Sequence, residues 1–413
     1  MRISTVQAFN NGVSGLQNNY GNVTRTQEEI STGKKILTPA DDPVASVKLL
    51  QISQEEALND QYKTGMTAAK NTLSSSDVIL SSITGSVLQR IKEITVQAGN
   101  GAYNADDRKS LATELKQRED ELLNLLNSKD ASGKYLFSGS MGDTQPFVRT
   151  ADGSYNYQGD DGQRSVQIAS STFVPVSDSG RAIFEDVTNA NRVTTTQSSM
   201  TGSTLRVSTG LVVDKTAYDK AFPEAADTKL QVVFTSDQAY EIRNPDGSVR
   251  ASGKVDADSK TTDLLSYGGL EVRLDGTARA GDTFEISTQR NTEKKGLLNV
   301  VGDLRKALES IPDSPEGSLQ VRDQTAIALT NLESVTANVL SVQGKIGARL
   351  NTVDTTETFI DDVSLVNKSV ASDLQDLDYT EALSRMAMQS TVMQAAQQSF
   401  VKISGLSLFN YLG

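Results

Sequence analysis

The chain has 413 residues, more than the roughly 250 to 300 at which a single core stops growing, so two or three domains are expected. Hydrophobic residues make up 37% and charged residues 22%, with a net charge of -12. No Lys/Arg block of the kind that tracks phosphates occurs, which argues against nucleic acid as a partner. Cysteine and histidine are both absent. Their absence excludes disulfides, thiolate metal sites, thiol nucleophiles, Ser-His-Asp triads and histidine zinc motifs.

In chain order, Ile3, Val6, Val13, Leu16, Tyr20, Val23 and Ile30 recur at three-and-four spacing and predict an amphipathic helix. Its Asn-Asn-Gly and Ser-Gly content lowers intrinsic helicity, so this arm is expected to stay disordered until it finds a partner. The start of the chain lacks the apolar stretch and cleavage site of a secretory signal. Pro39 and Pro43 share the next turn. Asp42 is placed to cap a helix whose first residue is Pro43, where the missing proline donor costs nothing.

That helix carries Val44, Val47, Leu50, Met66, Ala69, Leu73, Leu80, Ile83, Val87, Ile91 and Ile94, close to a heptad repeat. Gly99 to Gly101 end it. Asp106 or Asp107 is the expected cap of a further helix bearing Leu111, Leu115, Leu122 and Leu125.

From about residue 135 to 289 the texture changes to short alternating runs, such as 165–169, 230–234, 239–243, 270–274 and 283–287, separated by Gly, Asp, Asn and Ser. Helical patterning returns at Gly296 with Leu297, Val300, Val301, Leu304 and Leu308. After the turn at Pro312 and Pro315 it runs from Leu332 through Val353 and Val370 to Leu377. A last segment carries Leu383, Met386, Met393, Phe400, Ile403 and Leu406, with Leu408 and Phe409 beyond. No run of about 18 apolar residues spans a bilayer, so no membrane contact is expected.

The expected fold class is therefore α+β, with a β-rich domain inserted between two helical arms. Asp41 and Asp42 read as capping groups rather than catalytic carboxylates. Asp256 and Asp258 read as a turn, because Thr261 and Tyr267 stand where a calcium loop needs Gly and Glu. Gly344-Lys345 lacks the glycine spacing of a phosphate loop. Met386, Met388 and Met393 serve either as an adaptable packing surface or as plain core filling. No catalytic residue, metal or other cofactor is expected, and a structural protein is a better reading than an enzyme. A heptad-rich signalling protein of the chemoreceptor type would need a membrane span or a receptor-docking tip.

Residues 28–35, Glu-Glu-Ile-Ser-Thr-Gly-Lys-Lys, run into Ile-Leu-Thr-Pro-Ala-Asp-Asp-Pro-Val at 36–44. This resembles the junction between the two N-terminal segments of the flagellin superfamily. The last segment, from Met386 through 394–398 to Phe400 and 405–413, resembles a flagellin-type C-terminal helix. Pro43 directly after Asp42, the Leu-Phe-Ser-Gly run at 136–139 and the Leu408-Phe409-Asn410-Tyr411 ending are more similar to the hook-filament junction members than to filament flagellins.

The resemblance implies an elongated flagellin-like molecule, a helical coiled-coil rod from both chain ends with an inserted β-rich domain. The expected divisions are 1–42 and 371–413 as terminal arms, 43–140 and 291–370 as the rod, and 141–290 as the β-rich insertion. It also implies export through the flagellar type III apparatus without a cleaved signal, extracellular assembly as a homo-oligomeric adapter ring, and a cytoplasmic export chaperone. The implied neighbours are an adjacent hook-associated protein on the hook side and flagellin on the filament side. The alternative is a flagellin that forms the filament itself. Under either reading, Ile3, Val6, Val13, Leu16, Tyr20, Val23 and Ile30 are the assembly residues of the N-terminal arm. Leu383, Met386, Met393, Phe400, Ile403, Leu406, Leu408 and Phe409 are the assembly or chaperone-binding residues of the C-terminal arm.

Overall fold

A computed structural model describes residues 5–199, 202–222, 228–256, 258, 261–288 and 293–409. The chain divides into two compact units, one of Met1–Thr64 with Thr355–Gly413 and one of Gly65–Asp354. The first unit thus draws on both the N-terminal and C-terminal parts of the chain, and the second is a continuous insertion. The combination of terminal helices and a β-rich middle is the α+β class expected from the sequence.

The helical elements of the N-terminal part are α1 (Thr5–Thr32), α2 (Pro43–Ser82), α3 (Gln89–Ala98) and α4 (Ala105–Leu126), with a π-helical turn at Ile83–Leu88 joining α2 to α3. Asp42 Oδ1 accepts from the Val44 and Ala45 N–H groups at 3.0 and 2.9 Å, satisfying two donors that the first helical turn leaves open. The cap of α4 differs from expectation. Asn104 Oδ1 accepts from the N–H groups of Asp106 and Asp107, and the Asp107 carboxylate accepts in return from Asn104 N–H at 3.1 Å. Asp107 is the reciprocal member of a capping box, and Asp106 lies in the first turn.

Within the second unit, α4 packs on α6 (Leu297–Ser310), and α7 (Pro315–Gln375) carries a buried stripe of Leu332, Val335, Val339 and Ile346. The α4–α6 contact encloses a polar knot. Glu119, 1% exposed, accepts from Arg305 Nε at 2.7 Å and from the Tyr155 hydroxyl at 2.6 Å. Burial of the phenol, and the neighbouring Glu119 carboxylate, raise the Tyr155 pKa.

The strands occupy 147–288, as the alternating runs predict. Two small hairpins come first, β1 (Phe147–Arg149) with β2 (Tyr155–Tyr157) and β3 (Ser165–Ala169) with β4 (Thr172–Pro175). The remaining strands are β5 (Val193–Ser199), β6 (Arg206–Val207), β7 (Leu211–Val212), β8 (Lys229–Ser236), β9 (Ala239–Arg243), β10 (Val249–Lys254), β11 (Asp263–Tyr267), β12 (Leu270–Asp275) and β13 (Thr283–Thr288). They form an antiparallel sheet of order β10-β9-β8-β13-β5 and a second in which β12 lies between β11 and β6, with β7 also on β12.

One apolar core draws on both sheets, through Leu230, Val232 and Phe234 of β8, Leu270, Val272 and Leu274 of β12, and Phe284 and Ile286 of β13. Every second residue points inward, which is the period-two signal that made these strands readable. The β11–β12 turn is Gly268-Gly269, both at positive φ (57° and 75°), and a Cβ on Gly269 would lie 2.2 Å from the Asp214 carbonyl oxygen. A short helix α5 (Lys215–Ala221), capped by Asp214, interrupts the strands and was not expected from the sequence.

Removing one partner of the Glu119 knot strands a buried charge, which costs about 3 to 5 kcal/mol, whereas replacing both ions by apolar groups is often near neutral. Arg305→Met is therefore expected to destabilise the chain in urea unfolding by that amount. The triple variant Glu119→Leu, Arg305→Met and Tyr155→Phe, which also removes the hydroxyl that Glu119 accepts from, is expected to recover most of it. Equal stabilities of the single variant and the unaltered chain would contradict this.

Candidate functional site

The first unit contains the 28–44 segment and the helices α1 and α8, and its geometry starts at the turn after α1. Gly33 takes φ +70°, ending that helix, and the following residues pair with the turn before α8 (Tyr379–Phe409). Lys35 N–H donates to the Gln375 carbonyl at 2.8 Å and Leu377 N–H to the Gly33 carbonyl at 3.0 Å. A Cβ on Gly33 would stand 3.0 Å from the Tyr379 hydroxyl, so glycine fits both the conformation and the space.

Asp41 then closes the loop on itself. Its Oδ2 accepts from the Leu37 and Thr38 N–H groups at 3.0 and 2.9 Å, and its Oδ1 from Arg25 of α1 at 2.5 Å. The paired aspartates thus divide two tasks, Asp41 holding the loop and Asp42 starting α2. On the other strand of the chain, Asp378 caps α8 by accepting from Thr380 and Glu381 N–H at 2.8 and 3.2 Å.

From this turn, α1 and α8 run antiparallel. Thr26 Oγ1 donates to Gln389 Oε1 at 2.9 Å, Arg385 to Glu29 at 2.5 Å, and the Phe9 and Phe400 rings meet with centroids 5.2 Å apart. Gly12 admits the Phe400 ring, since a Cβ there would stand 3.0 Å from Phe400 Cδ2. The ion pairs are partly exposed and contribute at most about 1 kcal/mol each, so they fix register more than they hold the helices.

Apolar burial is scarce in this unit. Among the described residues its buried hydrophobics are Ala45, Ile360 and Ala382, and every other one belongs to the second unit. The α2 and α7 segments within it are joined by polar links, Glu56 accepting from Ser364 and Asn367 and Lys63 pairing with Asp361 at 2.6 Å. Conversely, most of the exposed large apolar side chains among the described residues lie here, including Val44 (81% exposed), Phe359 (65%), Leu365 (69%) and Val401 (69%). Large apolar side chains left in solvent are available for contacts between subunits.

The predicted arm residues fall along this pair. Val13, Leu16, Val23 and Ile30 of α1 are half-buried, as are Met386, Met393 and Phe400, which recur every seven residues on α8. Tyr20 (66% exposed) and Leu383 (55%) face solvent, and Leu16, Tyr20 and Met393 line an open groove between the helices with Gln17, Gly21 and Gln397. Ile3 lies outside the described residues. The helical backbone reaches Val6, Ile403, Leu406, Leu408 and Phe409, whose side chains lie outside the description. Sequence reading missed Gly12, Arg25, Thr26, Glu29 and Arg385, which are polar or small, and only the pairing with a partner more than 350 positions away gives the last three their role.

No helix is long and apolar enough among the described residues to cross a membrane. Paired terminal helices that close on a fixed loop and leave large apolar side chains in solvent define a self-assembling structural subunit.

Comparison with known proteins agrees. The model of the bacterial flagellin N-terminal helical region matches residues 3–141, and that of the bacterial flagellin C-terminal helical region matches residues 329–412. The chain belongs to the flagellin superfamily. Within it, the homology runs end to end with flagellar hook-associated protein 3. That of Salmonella typhimurium is 28% identical and that of Escherichia coli 26% identical, each alignment covering 99% of both chains. The crystal structure of the flagellar junction protein FlgL from Legionella pneumophila is 27% identical with a TM-score of 0.62, covering 80% of this chain and 100% of that one. The chain is a flagellar structural protein.

The Thr38 and Leu37 amides and the Arg25 guanidinium hold the Asp41 carboxyl down to about 2, against an ordinary 3.8. A depressed carboxyl contributes stability that is present above its ordinary value and is lost as pH falls toward about 2. An NMR titration is expected to place the Asp41 midpoint near 2, and Arg25→Ala is expected to raise it while leaving it below 3.8, because both amides remain. A midpoint at the ordinary value in the unaltered chain would contradict the loop geometry.

Proposed function

We propose that this chain is the adapter that joins the hook to the filament of the bacterial flagellum. The observation that carries this reading is the end-to-end homology to hook-associated protein 3. The exposed large apolar side chains of the terminal-helix unit agree with it. The protein acts outside the cell, in an oligomeric assembly with hook and filament components.

In the finer reading, copies of the chain form a ring with a hook-associated protein on the hook side and flagellin on the filament side. The chain leaves the cell through the flagellar type III apparatus without a cleaved signal, and a cytoplasmic chaperone holds its C-terminal helix until then. The arms 1–42 and 371–413 order on assembly, 43–140 and 291–370 make the rod, and 141–290 is the β-rich insertion. Ordering costs about 1 to 2 kcal/mol of backbone entropy per residue. Burying a Val or Leu side chain returns about 1.5 to 3 kcal/mol, so an arm with one apolar residue in three or four is stable only when packed on every side. Val13, Leu16, Val23, Ile30, Met386, Met393 and Phe400 are the residues assigned to that packing, and Ile3, Val6, Ile403, Leu406, Leu408 and Phe409 extend it toward the chain ends.

Deleting the coding gene is expected to leave cells with hooks but no filaments in electron micrographs, with unassembled flagellin lost to the medium. Normal filaments on the deletion strain would overturn the adapter reading.

A further inference from the structure

The chain contains two Asn-Gly pairs, Asn11-Gly12 and Asn100-Gly101, and the structure sets them in opposite environments. Gly12 lies inside α1, where its N–H belongs to the helix ladder and Phe400 closes over it. Asn100 and Gly101 are both exposed and form the turn between α3 and α4. Asn100 Oδ1 accepts from Ala102 N–H at 3.1 Å, which bends the carboxamide back over the peptide that follows it. Among the described residues the Gly101 N–H finds no acceptor, and no heavy atom stands within 4 Å of where a Cβ would be.

We propose that Asn100 is a site of spontaneous covalent modification by its own backbone. The Gly101 nitrogen attacks Asn100 Cγ, forming a C–N bond and closing a five-membered succinimide. The carboxamide nitrogen departs as ammonia, carrying the proton released by the Gly101 nitrogen. Water then adds to either ring carbonyl and reopens the ring, leaving aspartate or isoaspartate, and nothing is oxidised or reduced. Three features favour the attack together: a neighbour with no side chain to shield its nitrogen, an amide proton not committed to a hydrogen bond, and a carboxamide already folded toward it.

The modification changes the local structure. Either product adds a carboxylate to the turn, and isoaspartate also lengthens the main chain by one carbon. That displaces the Tyr103 N–H to Asn100 carbonyl bond of 3.1 Å. The same end of α4 is pinned to the α6–α7 turn, where Ala105 N–H donates to Asp313 at 2.9 Å and Arg108 donates to the Ile311 carbonyl at 2.8 Å. A subunit therefore acquires, with age and without any enzyme, a negative charge and an altered turn at this end of its helical body.

The test is peptide mapping by mass spectrometry of the purified full-length protein held in warm, mildly alkaline buffer, with isoaspartyl methyltransferase labelling to score the isomer. The peptide carrying Asn100 is expected to gain one dalton progressively, faster as pH rises, with isoaspartate as the larger product. Gly101→Ala is expected to lose that shift while leaving the unfolding midpoint unchanged, since the position has open space and no left-handed backbone. An Asn100 peptide that keeps its mass in the folded protein, while a free peptide of the same sequence converts, would overturn the proposal. Conversion of Gly101→Ala at the rate of the unaltered chain would overturn it as well.

Discussion

Two helices laid side by side cover one side of each other and leave the opposite sides bare. The rest of the first unit follows from this limit, because α1 and α8 carry apolar residues over more of their circumference than one neighbour can cover. Phe9, Gly12 and Phe400 close the contact at one place, while Tyr20, Leu383, Met388 and Val401 remain in solvent. The second unit is under no such limit. It buries α3, α4, α6 and α7 against each other and wraps two sheets around one core, so its stability is its own.

The link between chemistry and assembly is the loop at residues 33–42. Gly33 stops α1 with a left-handed residue, Asp41 gathers two amides and Arg25, and Asp42 restarts the helix at Pro43. A fixed turn at the base of α1 sets the angle at which that helix meets α8, and Asp378 sets the start of α8 from the other side. The loop, the Asp378 cap and the cross-helix ion pair of Arg385 with Glu29 thus set together the register of a two-helix joint.

Much of this was legible in the sequence because local periodicity carries it. Alternation announced β8, β12 and β13, and Pro43 and Pro315 marked the starts of the long helices. The α4 cap lies two or three positions before the expected Asp106 or Asp107, because Asn104 and Asp107 share the work and both residue types cap. Glu119 with Arg305, and Thr26 with Gln389, were invisible for another reason: their partners lie far away in sequence, and a polar residue on a helix reads as solvated until its neighbour is known. The terminal stripes were legible as apolar, while their half-exposure was a matter of what surrounds them.

Among the described residues the terminal-helix unit buries only Ala45, Ile360 and Ala382 as apolar side chains, and its neighbours in the flagellum are expected to complete it. Amide hydrogen exchange on the purified monomer and on isolated hook-filament preparations reads out that completion helix by helix. In the monomer, α1 and α8 are expected to exchange nearly unprotected beside strong protection of α4, α6 and the β core, and to become protected once assembled. Protection of α1 and α8 in the monomer equal to that of α4 and α6 would contradict it.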